Sequence, residues 1–88
     1  MELTLLGTGS PQPSPVRAGP SQHLSIGGDS VLVDVGSGTV RRMVEVGLDA
    51  KDVDLIFVTH MHSDHTIDLA HALITGWIRY RTKPYTIV

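Results

Sequence analysis

The sequence of 88 residues contains no cysteine. That excludes a disulfide framework and any thiolate metal site, so a bound metal must be held by imidazole and carboxylate, and the redox compartment is left open. An excess of one charge is also missing. The formal net charge is -2 and the pI about 6.1, which gives no basic field for general nucleic-acid binding and no dedicated nucleic-acid surface. The one local exception, Arg79, Arg81 and Lys83, is expected to be a solvated helix end. No apolar run reaches transmembrane length, and Met1-Glu2-Leu3-Thr4 lacks the basic and apolar regions of a signal peptide. No membrane partner and a cytoplasmic location are the resulting expectations. There is no internal repeat and no low-complexity tract.

What is present is ordinary globular composition, 41% hydrophobic and 18% charged, which places residues 1–88 in one small domain. A chain this short buries only about 60 to 65% of its unfolded surface. Its core is therefore thin, and a metal or a partner subunit is expected to support it.

Glu2 to Leu6 reads as a strand stopped by Gly7-Thr8-Gly9-Ser10, where glycines permit the positive φ values of a tight turn. Pro11, Pro13, Pro15 and Pro20 each fix φ and remove a backbone donor, so Ser10 to Pro20 is a loop outside any sheet interior. Loops of that length are usually functional or mobile. Gln22 to Ile26 alternates polar and apolar residues, Gly27-Gly28-Asp29 supplies a turn, and Val31-Leu32-Val33 completes a hairpin. After Gly36-Ser37-Gly38, Val40, Met43 and Val44 share one face of a short helix, Thr39 to Val46, stopped by Gly47. Leu55 to Val58 has the fully apolar run of a strand covered on both faces. Further on, Ile67, Ala70, Ile74, Trp77 and Ile78 mark one face of a second helix that fades before Pro84, and Tyr85 to Val88 reads as a last strand. The order predicts an α/β (α+β) fold, a mixed β-sheet with flanking helices.

Between the apolar strand and the second helix stands His60-Met61-His62-Ser63-Asp64-His65, with three of the five histidines in six positions. In extended backbone, side chains two apart point the same way, so His60 and His62 can chelate one ion together. Asp64 and His65 arrive as the chain turns toward a helix, which redirects them to a second ion or to a water beside the first. Zinc takes neutral imidazole and carboxylate ligands, and the same set suits manganese or iron. Two such ions ~3.5 to 4 Å apart activate a bridging water and clamp the oxygens of an ester or phosphodiester. Hydrolysis is the expected chemistry. A helix start near Thr66 would add a positive dipole end that favours anionic substrates. The plain alternative is a chance surface cluster in which Asp64 caps the helix; four defined residues in a strand-loop-helix context argue against it.

His60, His62, Asp64 and His65 match the His-x-His-x-Asp-His signature of the metallo-β-lactamase fold hydrolases. Together with Leu6-Gly7-Thr8-Gly9, Leu32-Val33-Asp34-Val35-Gly36-Ser37-Gly38 and Ile56-Phe57-Val58-Thr59, the chain resembles the ribonuclease Z and arylsulfatase-like branch from Glu2 to Val88. The resemblance implies the N-terminal half of an αββα sandwich and a zinc-dependent hydrolase with one or two Zn2+ per site. It implies His60 and His62 on one ion, Asp64 and His65 on the other, and Asp64 as the catalytic proton carrier. Asp34 would lie near the metal loop and support it, although a carboxylate ending a strand and satisfying a turn accounts for it equally. Gly36 and Gly38 serve either a close backbone approach to that loop or a plain turn before a helix.

The family's remaining ligands lie in a second half without counterpart in these 88 residues. Within the chain, His71 and His23 are candidates to complete the set, His71 being expected on a helix surface and His23 in the hairpin. A second copy is the third candidate: paired through a two-fold axis, it would cover the apolar sheet that each half leaves exposed. A homodimer or higher homo-oligomer is therefore expected. The substrate expected is a small anion or ester, a phosphodiester first, then sulfate esters, carboxylic esters and β-lactams; Arg17 in the proline-rich loop is either a partner for an anionic group or an ordinary solvated loop arginine. The competing expectation is a non-catalytic metal-binding half-domain or truncated fragment that assembles as an oligomer.

Overall fold

In a computed structural model that describes residues 1–88, five strands form one sheet in the order β1-β2-β3-β4-β5. β1 (Glu2–Gly7), β2 (Ser21–Ile26) and β3 (Asp29–Val33) are antiparallel neighbours, whereas β4 (Leu55–Phe57) and β5 (Thr86–Ile87) extend the sheet in parallel with β3. Parallel neighbours need crossovers, and these contain the helices α1 (Thr39–Glu45) and α2 (Leu69–Ile78). This is the mixed, helix-flanked sheet that the sequence predicts. No helix is long and apolar enough to cross a membrane.

Alternation gives the sheet two unequal faces. Thr4, His23, Leu32, Ile56 and Ile87 form one cross-strand row. The helices pack on that side: Leu32 and Ile56 are fully buried, in one cluster with Leu6, Val35, Val40, Met43 and Ala72. The opposite face carries Leu3, Leu24, Val31 and Leu55 in one row and Leu5, Val33 and Phe57 in the next. There Leu3, Leu5 and Phe57 remain exposed. β4, expected to be covered on both faces, is thus covered on one, because both helices lie on the other side.

Two helix faces and two glycines also depart from the sequence reading. In α1, Val40 and Met43 are buried, but Val44 is exposed at the rim of a cleft toward α2. α2 buries Ala72 and Gly76, with Leu69 and Leu73 beside them, while the stripe of Ile67, Ala70, Ile74, Trp77 and Ile78 faces solvent. The cause is steric. A Cβ at Gly76 would overlap the Tyr85 hydroxyl, so the small-residue side of the helix settles against Tyr85 and the large side chains stay outside. Gly7 and Gly9 do not adopt positive φ. They admit the returning proline-rich loop instead, since a Cβ on Gly7 would overlap the Gly19 carbonyl and the Gly9 amide donates to the Ala18 carbonyl at 2.8 Å.

The cations after α2 are not a freely solvated helix end either. Arg79 pairs with Asp49 and Lys83 with Asp54, and Arg81 donates to the carbonyls of Lys51, Val53 and Pro84 while stacking on Tyr85. They clasp the end of α2 to the segment that leads into β4.

Candidate metal centre

After β4 the chain passes through Val58-Thr59 into the histidine loop, where Ser63–His65 form one 3-10 turn. The helix expected from near Thr66 begins only at Leu69. The His65 carbonyl that would open it accepts from the Val35 amide at 2.7 Å, and the Asp68 amide donates to Val35 at 3.0 Å. These bonds tie residues 65 to 68 to the end of β3, and the helix dipole does not start beside Asp64. Asp68 turns its carboxylate to the Val40 amide, 2.8 Å away, and so caps α1 rather than its own helix.

Asp34 is the hub of the loop. It is 3% exposed and held at φ +61°, a left-handed conformation that costs a residue with a side chain about 1 kcal/mol. Its Oδ1 accepts from the Thr59 amide at 2.8 Å, the Thr59 hydroxyl lies 2.8 Å from Oδ2, and His65 Nδ1 lies 2.7 Å from Oδ2. Burial pushes the Asp34 carboxyl up, but the Thr59 amide, His65 and the Thr59 hydroxyl outweigh burial and hold it below the usual carboxylate value. A charged Asp34 takes a proton on His65 Nδ1 and leaves Nε2 as the free lone pair of that ring. The same logic reaches His60. With the one hydroxyl proton of Thr59 given to Asp34, the Thr59 oxygen accepts from His60 Nδ1 at 3.0 Å and frees the other ring nitrogen. Asp34 thus both supports the loop and satisfies a turn. Sequence reasoning missed Thr59, whose signal was a hydroxyl residue directly before the first histidine.

The four candidate ligands meet in one place as two pairs. Asp64 Oδ2 is 3.4 Å from His65 Nε2. Two ligand atoms ~2.0 to 2.1 Å from one tetrahedral ion are themselves about 3.4 Å apart, so this pair has the spacing of zinc ligands. The rings of His60 and His62 lie edge to face with centroids 4.7 Å apart. The His60 and His65 rings, 4.1 Å apart, join the two pairs. Nowhere do three or more His, Asp or Glu side chains converge on a point that could hold an ion. The donor set therefore fits zinc in kind, and Asp64 with His65 fits it in spacing, with no third donor converging on them.

His71 and His23 do not supply it. His71 is exposed on α2 beside Asp68, at 3.5 Å. His23 is buried under the helices with Nε2 2.7 Å from Ser30 Oγ, and burial lowers its pKa against the opposing effect of Glu2. The two glycines divide their expected roles. A Cβ on Gly36 would come within 2.8 Å of the Asp64 carbonyl, whereas Gly38, at φ +82°, turns the chain into α1. The proline-rich loop walls a cleft of about 280 Å³ lined by Gln12, Ser14, Arg17, Ser37, Ser63 and Asp64. Arg17 and Asp64 therefore face a common space.

The family described as anti-Pycsar protein Apyc1 matches the chain over residues 1–88. The chain belongs to that family. This Apyc1-family chain is also a homologue of ribonuclease Z: the enzyme of Mycobacterium marinum is 49% identical over 78 residues, 89% of this chain and 28% of that protein. Human tRNase Z, short form, superposes with a TM-score of 0.88 at 36% identity, over 99% of this chain and 33% of the human one. The metallo-β-lactamase fold protein YhfI of Bacillus subtilis gives 0.83 at 24% identity, over 97% and 35%, a likeness of fold alone. The Apyc1-family chain thus has the metallo-β-lactamase fold, consistent with its N-terminal half, and spans 28% of the length of this ribonuclease Z relative.

Proposed function

We propose that the chain supplies one half of the active site of a cytoplasmic, metal-dependent hydrolase of phosphodiesters. The observation that supports this reading best is the 3.4 Å spacing of Asp64 Oδ2 and His65 Nε2, with His65 fixed by Asp34 at 2.7 Å, in a chain 49% identical to a ribonuclease Z. His60 and His62 would hold one zinc ion and Asp64 and His65 a second, with manganese or iron as alternatives. Bound there, the ions supply a lowered pKa for water and neutralise charge on phosphodiester oxygens.

The chain's own residues do the rest. Asp34 and Thr59 fix the two imidazoles with one nitrogen of each free. Asp64, open to the cleft, carries the proton between water and leaving group. Arg17, in the same cleft, pairs with the anionic group of the substrate.

Metal content per chain, measured together with turnover of a generic phosphodiester, an aryl sulfate, a carboxylic ester and a β-lactam, tests the proposal. The expected result is bound metal, preference for the phosphodiester, and a loss of at least ~100-fold in kcat on Asp64→Ala. Stoichiometric metal without turnover, unchanged by Asp64→Ala, would sink the enzyme and leave a second reading. That reading is a non-catalytic metal-binding half-domain, favoured by the lack of any three converging donors. Protein that binds no metal, with stability indifferent to chelators, would defeat both.

A further inference from the structure

Three of the five arginines line one cleft, and the other two belong to the clasp after α2. The cleft has a volume of about 230 Å³ and a polar lining of Ser14, Arg17, Ser37, Arg41, Arg42 and Glu45. Arg41 and Arg42 project from α1 and both reach Glu45, Arg41 Nε at 3.4 Å and Arg42 through Nη1. Arg42 Nε also donates to the Leu6 carbonyl at 3.2 Å, which fixes its guanidinium in the wall of the cleft. Ion pairs three and four positions apart on a helix are the plain account of this pattern. A single carboxylate neutralises only one of the two cations, however. Arg17 adds a third, and its guanidinium meets neither a carboxylate nor a carbonyl of the fold; only its backbone amide is bonded, to Ser14 Oγ at 3.2 Å. A chain of net charge -2 thus gathers three guanidiniums against one carboxylate in one recess. Its two hydrophobic lining residues, Val16 and Ala18, are not aromatic, so the cleft offers fork donors and hydroxyls but no ring on which a base would stack.

We propose that this cleft binds a phosphate monoester as its dianion, the group left when water replaces one alcohol of a phosphodiester. A monoester carries a charge of about -1.5 to -2 at neutral pH, which matches the excess of cations in the cleft, whereas a diester carries a single charge. Arginine forks pair with phosphate oxygens two at a time. The cleft also shares Ser14, Arg17 and Ser37 with the cleft that contains Asp64. One guanidinium between two clefts serves one anion at a time. A monoester held by Arg41 and Arg42 therefore draws Arg17 away from the Asp64 side, and the product of one turnover opposes binding of the next substrate. That consequence rests on the hydrolase reading above; binding of the monoester does not, because no residue of the histidine loop lines this cleft.

Calorimetric titration of the chain with phenyl phosphate, in chelator and at low salt, tests the assignment. The expected result is one site per chain, with methyl phenyl phosphate, a monoanionic diester, bound at least ~10-fold more weakly. The Arg41 side chain is 85% exposed, so Arg41→Gln should keep the far-UV circular dichroism of the wild type and weaken phenyl phosphate about 10-fold. Lys83→Gln, which removes the same charge from the distant clasp, should leave binding unchanged. In turnover of a phosphodiester, phenyl phosphate should raise KM without lowering kcat, and Arg41→Gln should relieve that inhibition. No saturable binding, a diester bound as tightly as the monoester, or equal losses in Arg41→Gln and Lys83→Gln would overturn the proposal. Binding with the expected preferences in a chain that turns over no ester upholds the site and defeats the hydrolase reading alone.

Discussion

His65 and His62 stand three positions apart in one loop and are held in different ways. His65 donates to a buried carboxylate, and its other nitrogen is spaced from Asp64 as a fellow ligand would be. His62 is exposed and makes no side-chain hydrogen bond at its turn. Of these two candidate ligands, His65 is thus held by a buried carboxylate of the fold, whereas His62 is placed by its local backbone alone. Asp34 makes that difference. Its network fixes His65 directly and His60 through Thr59, and it does not reach His62.

Removing Asp34 should have the largest effect on the loop. Asp34→Ala leaves the Thr59 amide, the Thr59 hydroxyl and His65 without their acceptor and keeps a strained backbone. It should destabilise the metal-free chain by about 3 kcal/mol, roughly 15 °C in Tm; thermal unfolding followed by circular dichroism checks this, and a loss under about 1 kcal/mol would mean the hub carries little. A smaller effect separates the two histidines. His65→Ala should cost about 1 to 2 kcal/mol without metal, and His62→Ala should stay within about 0.5 kcal/mol. Equal urea midpoints for the two variants would erase the distinction.

His23 supplies the smallest effect and a third case, a buried histidine whose partner is a neutral hydroxyl. Its pKa is lowered in the fold, chiefly by burial, so the unfolded chain takes up the proton first. The stability it allows is full above the ordinary histidine value of 6.5 and is lost as pH falls through the lower folded value. Urea midpoints from pH 8 to pH 5 should therefore fall more steeply for wild type than for His23→Leu. Parallel curves would remove the contribution.

The four candidate ligands were legible because their case rests on residue type and on spacing within six positions. The support beneath them was not. Asp34 meets Thr59 and His65 only because β3 lies parallel to β4 with Val33 opposite Phe57, a pairing between segments far apart in the chain that local pattern does not specify. The same limit explains α2. Two apolar stripes run along that helix, and the choice between them depends on Tyr85 reaching Gly76 from the far side of the connection. The mixed sheet itself was readable from turn residues and alternation, while the open face of β4 was not, since an apolar run does not reveal how many layers will cover it.

If Asp34 prepares His65 to bind metal, zinc titration by calorimetry will distinguish folded wild type from folded Asp34→Asn. Asparagine preserves size while weakening the hold on His65 Nδ1. The dissociation constant should rise about 10- to 100-fold with the number of ions per chain unchanged. An unchanged affinity, or a wild-type chain that takes up no zinc, would contradict it.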